Sequence, residues 1–394
     1  MSGALAPAGG PSGSQAKALA LALGFDVAGV APAAPAPTSA FLHQWLERGY
    51  AGEMEWLGRR VEVRTDPRRA LEGARSVVAV ALVYDPGPRP APGPGRGEVA
   101  RYAGGEDYHE VLGERLRALG AGLEALATRA VRWRAYVDTG PVLERALAAQ
   151  AGIGWIGKNT CLIHRELGSY LFLGALLSDL ELAPDAPEPD HCGTCRACLD
   201  ACPTQAIVEP HVLDATRCLS YTTIESRSAI PEGLREAQGS LVFGCDICQD
   251  VCPFNQRERR RVPPDPQGLR ARLGARPEWV RPSLAWLLSL DETAWRGVTR
   301  RTALRRAKHR FLLRNALVAA GNSADPTLRS LLERHAAGPD PLLADHARWA
   351  LGRLPANPSQ GATGAQADGG SNALRRAARR AKASGRSPGQ RPSS

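Results

Sequence analysis

The spacing of apolar residues changes several times along the chain, and each change predicts an element. SVVAVAL (76–82) is apolar at nearly every position, the pattern of a strand covered on both faces. YHEVLGERLRALGAGLEAL (108–126) repeats its apolar residues three and four apart, so it reads as an amphipathic helix. VRWRAYVD (131–138) alternates as a half-buried strand does, and VLERALAAQA follows as a helix with Pro141 in its first turn. SYLFLGALLSDL (169–180) is another strand-like run, and near the start a short helix around 19–25 leads into the strand DVAGVAP.

Composition marks the joints. Residues 1–16 and 356–394 are low-complexity tails expected to be disordered, and 85–97 (DPGPRPAPGPGRG) is a Pro/Gly loop. The body divides into an α/β segment over 17–184, a cysteine-rich segment over 185–265 and a helical segment over 266–355. In the last, DPTLRSLLERHAAGPDPLLADHARWALGRL is similar to HEAT-type helical repeats. Roughly one and a half units are present, too few to bury an apolar face alone, so the segment must pack on the rest of the body. No apolar run approaches the ~18 residues that span a bilayer. The stretch APAAPAP imitates the end of a secretion signal, but Asp26 interrupts the apolar run before it and only Lys17 precedes that run. A soluble, cytoplasmic protein is expected.

The formal charge of +10 is uneven: seven cations and no acid lie in 371–394. Such a tail can hold a polyanion without sequence preference, or simply be a solvated extension. RRTALRRAKHRFLLRNAL from Arg300 differs. Leu304, Phe311, Leu312 and Ala316 recur at helical spacing with Arg301, Arg305, Lys308 and Arg314 around them, which predicts a helix with a cationic, phosphate-contacting face.

Eight of the nine cysteines fall in two groups, Cys192, Cys195, Cys198 and Cys202, then Cys218, Cys245, Cys248 and Cys252. The run C-x2-C-x2-C-x3-C-P from Cys192 to Pro203 has the spacing of bacterial ferredoxins, in which the fourth cysteine reaches across to the other cluster. The second run, ending at Cys252 and Pro253, lacks one cysteine, and Cys218 can complete it. The expected pairing is Cys192, Cys195, Cys198 and Cys252 on one 4Fe-4S cluster, and Cys202, Cys218, Cys245 and Cys248 on the other. A zinc site has no use for the x3-C-P tail, and disulfides need an oxidising compartment. Cys161, in TCLIH, reads as a small buried hydrophobe.

Other motifs need a context the chain does not provide. GIGWIG (152–157) and the following Lys158 imitate nucleotide-binding loops, yet the segment before them is helical and Asn159 stands where a magnesium-binding hydroxyl belongs. Two positions look chemical. Asp138 ends a predicted strand, where a carboxylate faces the mouth of a site; a helix N-cap is the competing reading. Lys158 is one of four lysines against 46 arginines, which suggests that a compact ammonium is required there.

The blocks YAGGEDYH (102–109), VDTGPVLERALA (137–148), GWIGKNT (154–160), CGTCRACLDACPTQAI (192–207), RCLSYTTIE (217–225) and GCDICQDVCPFN (244–255) resemble, in order, those of epoxyqueuosine reductases. The resemblance runs from about residue 17 to 355. It implies an α+β fold: a mixed α/β cobalamin-binding domain, a ferredoxin-like double-cluster domain and C-terminal HEAT-like helices. It also implies two 4Fe-4S clusters feeding a cobalamin, which reduces the epoxide of a modified base in a tRNA anticodon loop. By the same resemblance Asp138 is the proton donor, and to donate near neutral pH it should be partly desolvated and protonated. Lys158, Asn159, Ser220, Tyr221 and Asp246 lie in blocks that surround the corrin and its nearest cluster. Expected partners are tRNA and a reductant such as flavodoxin or ferredoxin, with no membrane and a monomeric state. The competing classes are a corrinoid iron-sulfur reductase of another substrate, as in reductive dehalogenases, and a non-catalytic double-cluster electron carrier.

Overall fold

The all-apolar run forms the strand Ser76–Val83, buried along its whole length, in a computed structural model that describes residues 10–84, 89, 93–256 and 258–355. The basic tail and most of the Pro/Gly loop lie outside the described residues. The strand is interior to a four-stranded antiparallel sheet. Val27–Pro32 pairs on one side, Leu171–Ser178 on the other, and Trp133–Tyr136 joins beyond Leu171–Ser178. Val78, Val80 and Leu82 face the helices Gly13–Ala22 and Tyr108–Leu126, where Ala16, Ala20, Leu112, Leu116 and Leu119 complete a core. Val77, Ala79 and Ala81 face Leu147 and Ala148 of the helix Glu144–Gln150. Period-two alternation sends neighbours to opposite faces, so a sheet covered on both needs an unbroken apolar run. Each fully buried Val or Leu contributes roughly 1.5–3 kcal/mol.

Several local expectations shift. The first helix begins at Gly13, inside the stretch expected to be a tail, because Ser12 and Gln15 form a capping box and Ala16 is wholly buried. The strand expected over 131–138 pairs only over Trp133–Tyr136. The next helix starts at Glu144, not around Pro141, and its N-cap is Leu143 without a side-chain bond. Asp138 therefore does not cap it. Gly120, inside the long helix, is there for packing: a Cβ would fall 2.5 Å from the Trp133 ring. In GIGWIG a Cβ on Gly154 would fall 2.1 Å from the Ile163 carbonyl, and Trp155–Ile156 pairs with Leu162–Ile163 in a hairpin. Those glycines serve a tight turn.

The helices Lys308–Ser323, Arg329–Ala336 and Pro341–Arg353 build a third core with Leu312, Leu317, Leu332 and Ala347. The helix expected from Arg300 is broken: Ala303–Ala307 is a 3-10 turn, and Lys308 has φ of 59°. Leu304, Phe311, Leu312 and Ala316 are buried as expected, but so is Arg314. Its guanidinium donates to the carbonyls of Thr222, Ser226 and Ser228, while Asn315 donates to those of Thr223 and Val242. These bonds fix the helical segment against the cysteine-rich one, and the described residues up to Leu354 pack as one compact unit.

Candidate active site

Cys192, Cys195, Cys198 and Cys252 line one cavity together with Lys158, Asn159, Ile163 and Phe254. The cavity proper is small, about 40 Å³, and opens to solvent. On the other side Cys218 and Cys202 both bear electrostatically on Cys245, and Cys245 and Cys218 on Cys248. Among the described residues no three His, Cys, Asp or Glu converge closely enough to hold a single ion. Burial pushes the Cys252 thiol up to about 11 and the Cys245 thiol to about 12. Thiolates at these positions arise by exchanging protons for metal.

The surroundings of the cysteines account for two sequence-predicted residues. Lys158 Nζ donates to the carbonyls of Gly193 (2.5 Å) and Cys195 (2.9 Å), tying down the first cysteine loop. Asn159 is buried; its amide donates to the Cys248 carbonyl at 3.2 Å and accepts from the Cys161 N–H at 3.2 Å. It links the second cysteine group to the segment beside the first. Cys161 is more than an apolar filler, since its thiol lies against Cys248. Trp155 Nε1 donates toward Cys192 Sγ at 3.5 Å and the Ala206 N–H to Cys202 Sγ at 3.2 Å, the kind of bond that tunes a cluster's potential.

The other three lie around the second group. Ser220 and Tyr221 are on the helix Leu219–Ile224, which begins next to Cys218. Tyr221 Oη accepts the Glu53 N–H at 2.7 Å, so it anchors a distant loop. Asp246 is buried beside Cys245, accepting from the Arg101 N–H at 2.7 Å and from Gln249 at 3.2 Å. Burial pushes its carboxyl up to about 6.

Asp138 stands just beyond the strand Trp133–Tyr136 with φ of 56°, a left-handed conformation that Asp tolerates better than most residues. Its carboxylate receives His109 Nε2 at 3.2 Å, and His109 Nδ1 lies 2.7 Å from Asp107 Oδ1. Asp107 is the N-cap of Tyr108–Leu126, so the start of that helix aims the imidazole at the strand end. Burial alone would lower the His109 value, but hydrogen bonds to Asp107 and Asp138 raise it to about 9. Desolvation raises Asp138, yet His109, Tyr108 and Arg306 outweigh it and hold the carboxyl below its ordinary range. The expectation of a protonated Asp138 is thus corrected. The Asp138 side chain is exposed over 63 % of its surface, and its charged neighbours are the cations His109 and Arg306 and the acids Asp107 and Glu144. The hydrogen bond that raises His109 lowers Asp138, so within this pair the proton is favoured on the imidazole.

Composition and motif spacing did not single out His109, Asp107 or Arg306. Asp107 and His109 lay in the block YAGGEDYH (102–109) without a role, and the local signal was Asp-x-His at a helix start. Glu144 is also close: half-buried, with its buried Oε1 unpartnered and its carboxyl raised by desolvation to about 7.

Two groups of four cysteines at ferredoxin spacing, on a unit that also carries a strand-end acid bonded to a histidine, define the class of iron-sulfur oxidoreductases. The family model described as "4Fe-4S double cluster binding domain" matches residues 191–255, and "Epoxyqueuosine reductase QueG, DUF1730" matches 64–139. The Gloeobacter violaceus epoxyqueuosine reductase is 44 % identical over 333 residues, 82 % of this chain and 99 % of that protein. The Escherichia coli enzyme is 39 % identical over 336 residues, 84 % of this chain and 86 % of its own. A crystal structure of epoxyqueuosine reductase with an epoxyqueuosine-modified tRNA-Tyr stem loop superposes with a TM-score of 0.77 at 32 % identity, covering 85 % of this chain and 88 % of that one. The chain belongs to the epoxyqueuosine reductase family and is an oxidoreductase.

Proposed function

We propose that the chain reduces epoxyqueuosine to queuosine in the anticodon loop of tRNA, with Asp138 delivering a proton to the leaving oxygen and His109 storing it. Two electrons and two protons convert the epoxide to an alkene and release the oxygen as water. When bound, two 4Fe-4S clusters and a cobalamin supply the electrons. The observation that carries the reading is the His109–Asp138 pair at the strand end, on a chain whose relatives perform this reaction.

Cys192, Cys195, Cys198 and Cys252 would hold one cluster, supported by the cavity they share. Cys202, Cys218, Cys245 and Cys248 would hold the other. The surroundings of Asp138 and Asp246 suit a macrocycle fringed with amides: Glu144 Oε1, Arg64 Nε and Arg89 Nη2 are buried polar atoms without a protein partner. Arg64 is electrostatically tied to Glu144, Glu144 to Asp138, and Arg89 to Asp246. Cobalamin side amides would satisfy them, with Ser220, Tyr221 and Asp246 on the side of the second cluster. Lys158 and Asn159 act on the cysteine loops.

Charge on the epoxide oxygen grows as its bond to carbon breaks. The proton held on His109 passes through the Asp138 carboxylate to that oxygen as its charge grows, and the neutral imidazole left behind is reprotonated from solvent. Asp107 keeps the imidazole oriented and charged. The electron donor we propose is a small carrier such as flavodoxin or ferredoxin, and the protein acts as a cytoplasmic monomer. No described helix is long and apolar enough to cross a membrane.

The test is complementation. Cells lacking their own epoxyqueuosine reductase should recover queuosine in their tRNA when they express this chain, read by mass spectrometry of digested nucleosides. Persistence of epoxyqueuosine with the holo-protein present would overturn the reading.

A further inference from the structure

Trp56 is a large aromatic side chain with 37 % of its surface exposed, and the groups around it are those of the active site. Arg306 places its guanidinium 5.7 Å from the Trp56 ring centroid, forms two bonds to Glu225 at 2.9 and 2.7 Å, and bears electrostatically on Asp138. Arg64 lies 5.2 Å from the same ring and donates to the carbonyl of Gly140, two residues past Asp138, at 3.4 Å. Two cations that contact the Asp138 surroundings thus also brace this indole.

The loop that carries Trp56 is held firmly. The Glu53 N–H donates to Tyr221 Oη at 2.7 Å, and the Glu53 carboxylate accepts from Ser226 Oγ at 3.1 Å and the Arg227 N–H at 2.6 Å. Gly52, at φ of 56°, packs so closely on Tyr221 that a Cβ would fall 2.4 Å from its hydroxyl. A loop bonded in this way presents the part-exposed indole at a fixed position. Arg59 and Arg60 on its own side, and Arg305 and Lys308 near Arg306, are exposed cations.

We propose that Trp56, braced by Arg64 and Arg306, is a stacking platform for an unpaired RNA base next to the nucleotide being reduced. This rests on the function proposed above and names how the loop is gripped. Proteins read single-stranded RNA loops by splaying bases onto aromatic rings and arginine planes, with surrounding cations on the phosphates. A base stacked here would hold the loop open while its neighbour reaches Asp138.

The test measures binding of a fluorescein-labelled anticodon stem-loop RNA carrying epoxyqueuosine to the reconstituted holo-protein, by anisotropy over a range of salt. Trp56→Ala should weaken binding about 5- to 150-fold, the range for one lost base–aromatic stack, while Trp56→Phe retains most of the affinity. The salt slope should be unchanged in both, because no phosphate contact is removed. Iron and corrinoid contents should match the parent protein. Unchanged affinity in Trp56→Ala overturns the proposal, and so does loss of corrinoid at unchanged RNA affinity, which would place the indole against the cofactor. A parent protein that fails to reduce the modified stem-loop would overturn the proposed function instead.

Discussion

Asp107→Asn tests the proton store without touching Asp138. Asn caps helices as well as Asp, and its side-chain oxygen can still accept from the His109 backbone and ring, so the start of Tyr108–Leu126 should be kept. What disappears is a negative charge beside the imidazole. With His109 raised to about 9, the imidazolium outnumbers neutral imidazole by about 100 to 1 at pH 7. Its contribution to activity should fall only as pH rises through about 9. A carboxylate within hydrogen-bonding distance raises a neighbouring cation by one pH unit or more, so Asp107→Asn should move the alkaline limb of the rate profile down by at least about one unit. The stability linkage has the same direction. A raised value stabilises the fold fully below about 6.5 and loses that effect as pH rises through about 9, so the variant should be less stable at neutral pH. The assay is single-turnover reduction of the modified stem-loop from pH 6 to pH 10, with melting curves alongside. An alkaline limb that stays in place would refute the assignment of the stored proton to His109.

Asp138→Asn keeps a residue that tolerates φ of 56° and an acceptor for His109 but cannot deliver a carboxylic proton. Turnover should fall by about 10²–10⁴-fold with iron, corrinoid and folding retained, and near-normal rates would remove Asp138 from the reaction. Cys252→Ala should damage the cluster held by Cys192, Cys195 and Cys198 and lower iron content from about eight per chain to about four; a surviving first cluster, seen by electron paramagnetic resonance, would contradict the crossed pairing. Replacing Arg305 and Lys308 with Gln should flatten the salt dependence of stem-loop binding by up to about two phosphate contacts. Arg301 adds little, because it is bonded to Glu110 at 3.0 Å, and an unchanged slope in the double variant would take this surface out of the interface.

What the chain revealed locally was set by local physics. The strand Ser76–Val83 and the helix Tyr108–Leu126 were legible because their periods are contained within the elements. The cysteines were legible because their spacing follows a cluster motif. Arg314 was misread as a surface cation because the carbonyls that bury it, those of Thr222, Ser226 and Ser228, are some ninety residues earlier in the chain. Asp138 was identified at a strand end, but its charge state is set by His109 on another element. Period and propensity cannot report that meeting. Trp56 gave no motif at all, and Glu144 lay unremarked inside the block 137–148; their meaning comes from what the fold brings beside them.

The most direct test of the account is reduction of a synthetic epoxyqueuosine stem-loop by the anaerobically reconstituted protein with iron, sulfide, cobalamin and a low-potential reductant, read by mass spectrometry. The account predicts loss of one oxygen and gain of a ring double bond, abolished when cobalamin is left out and strongly slowed by Asp138→Asn. Unaltered RNA from protein shown to carry both clusters and the corrinoid would contradict it.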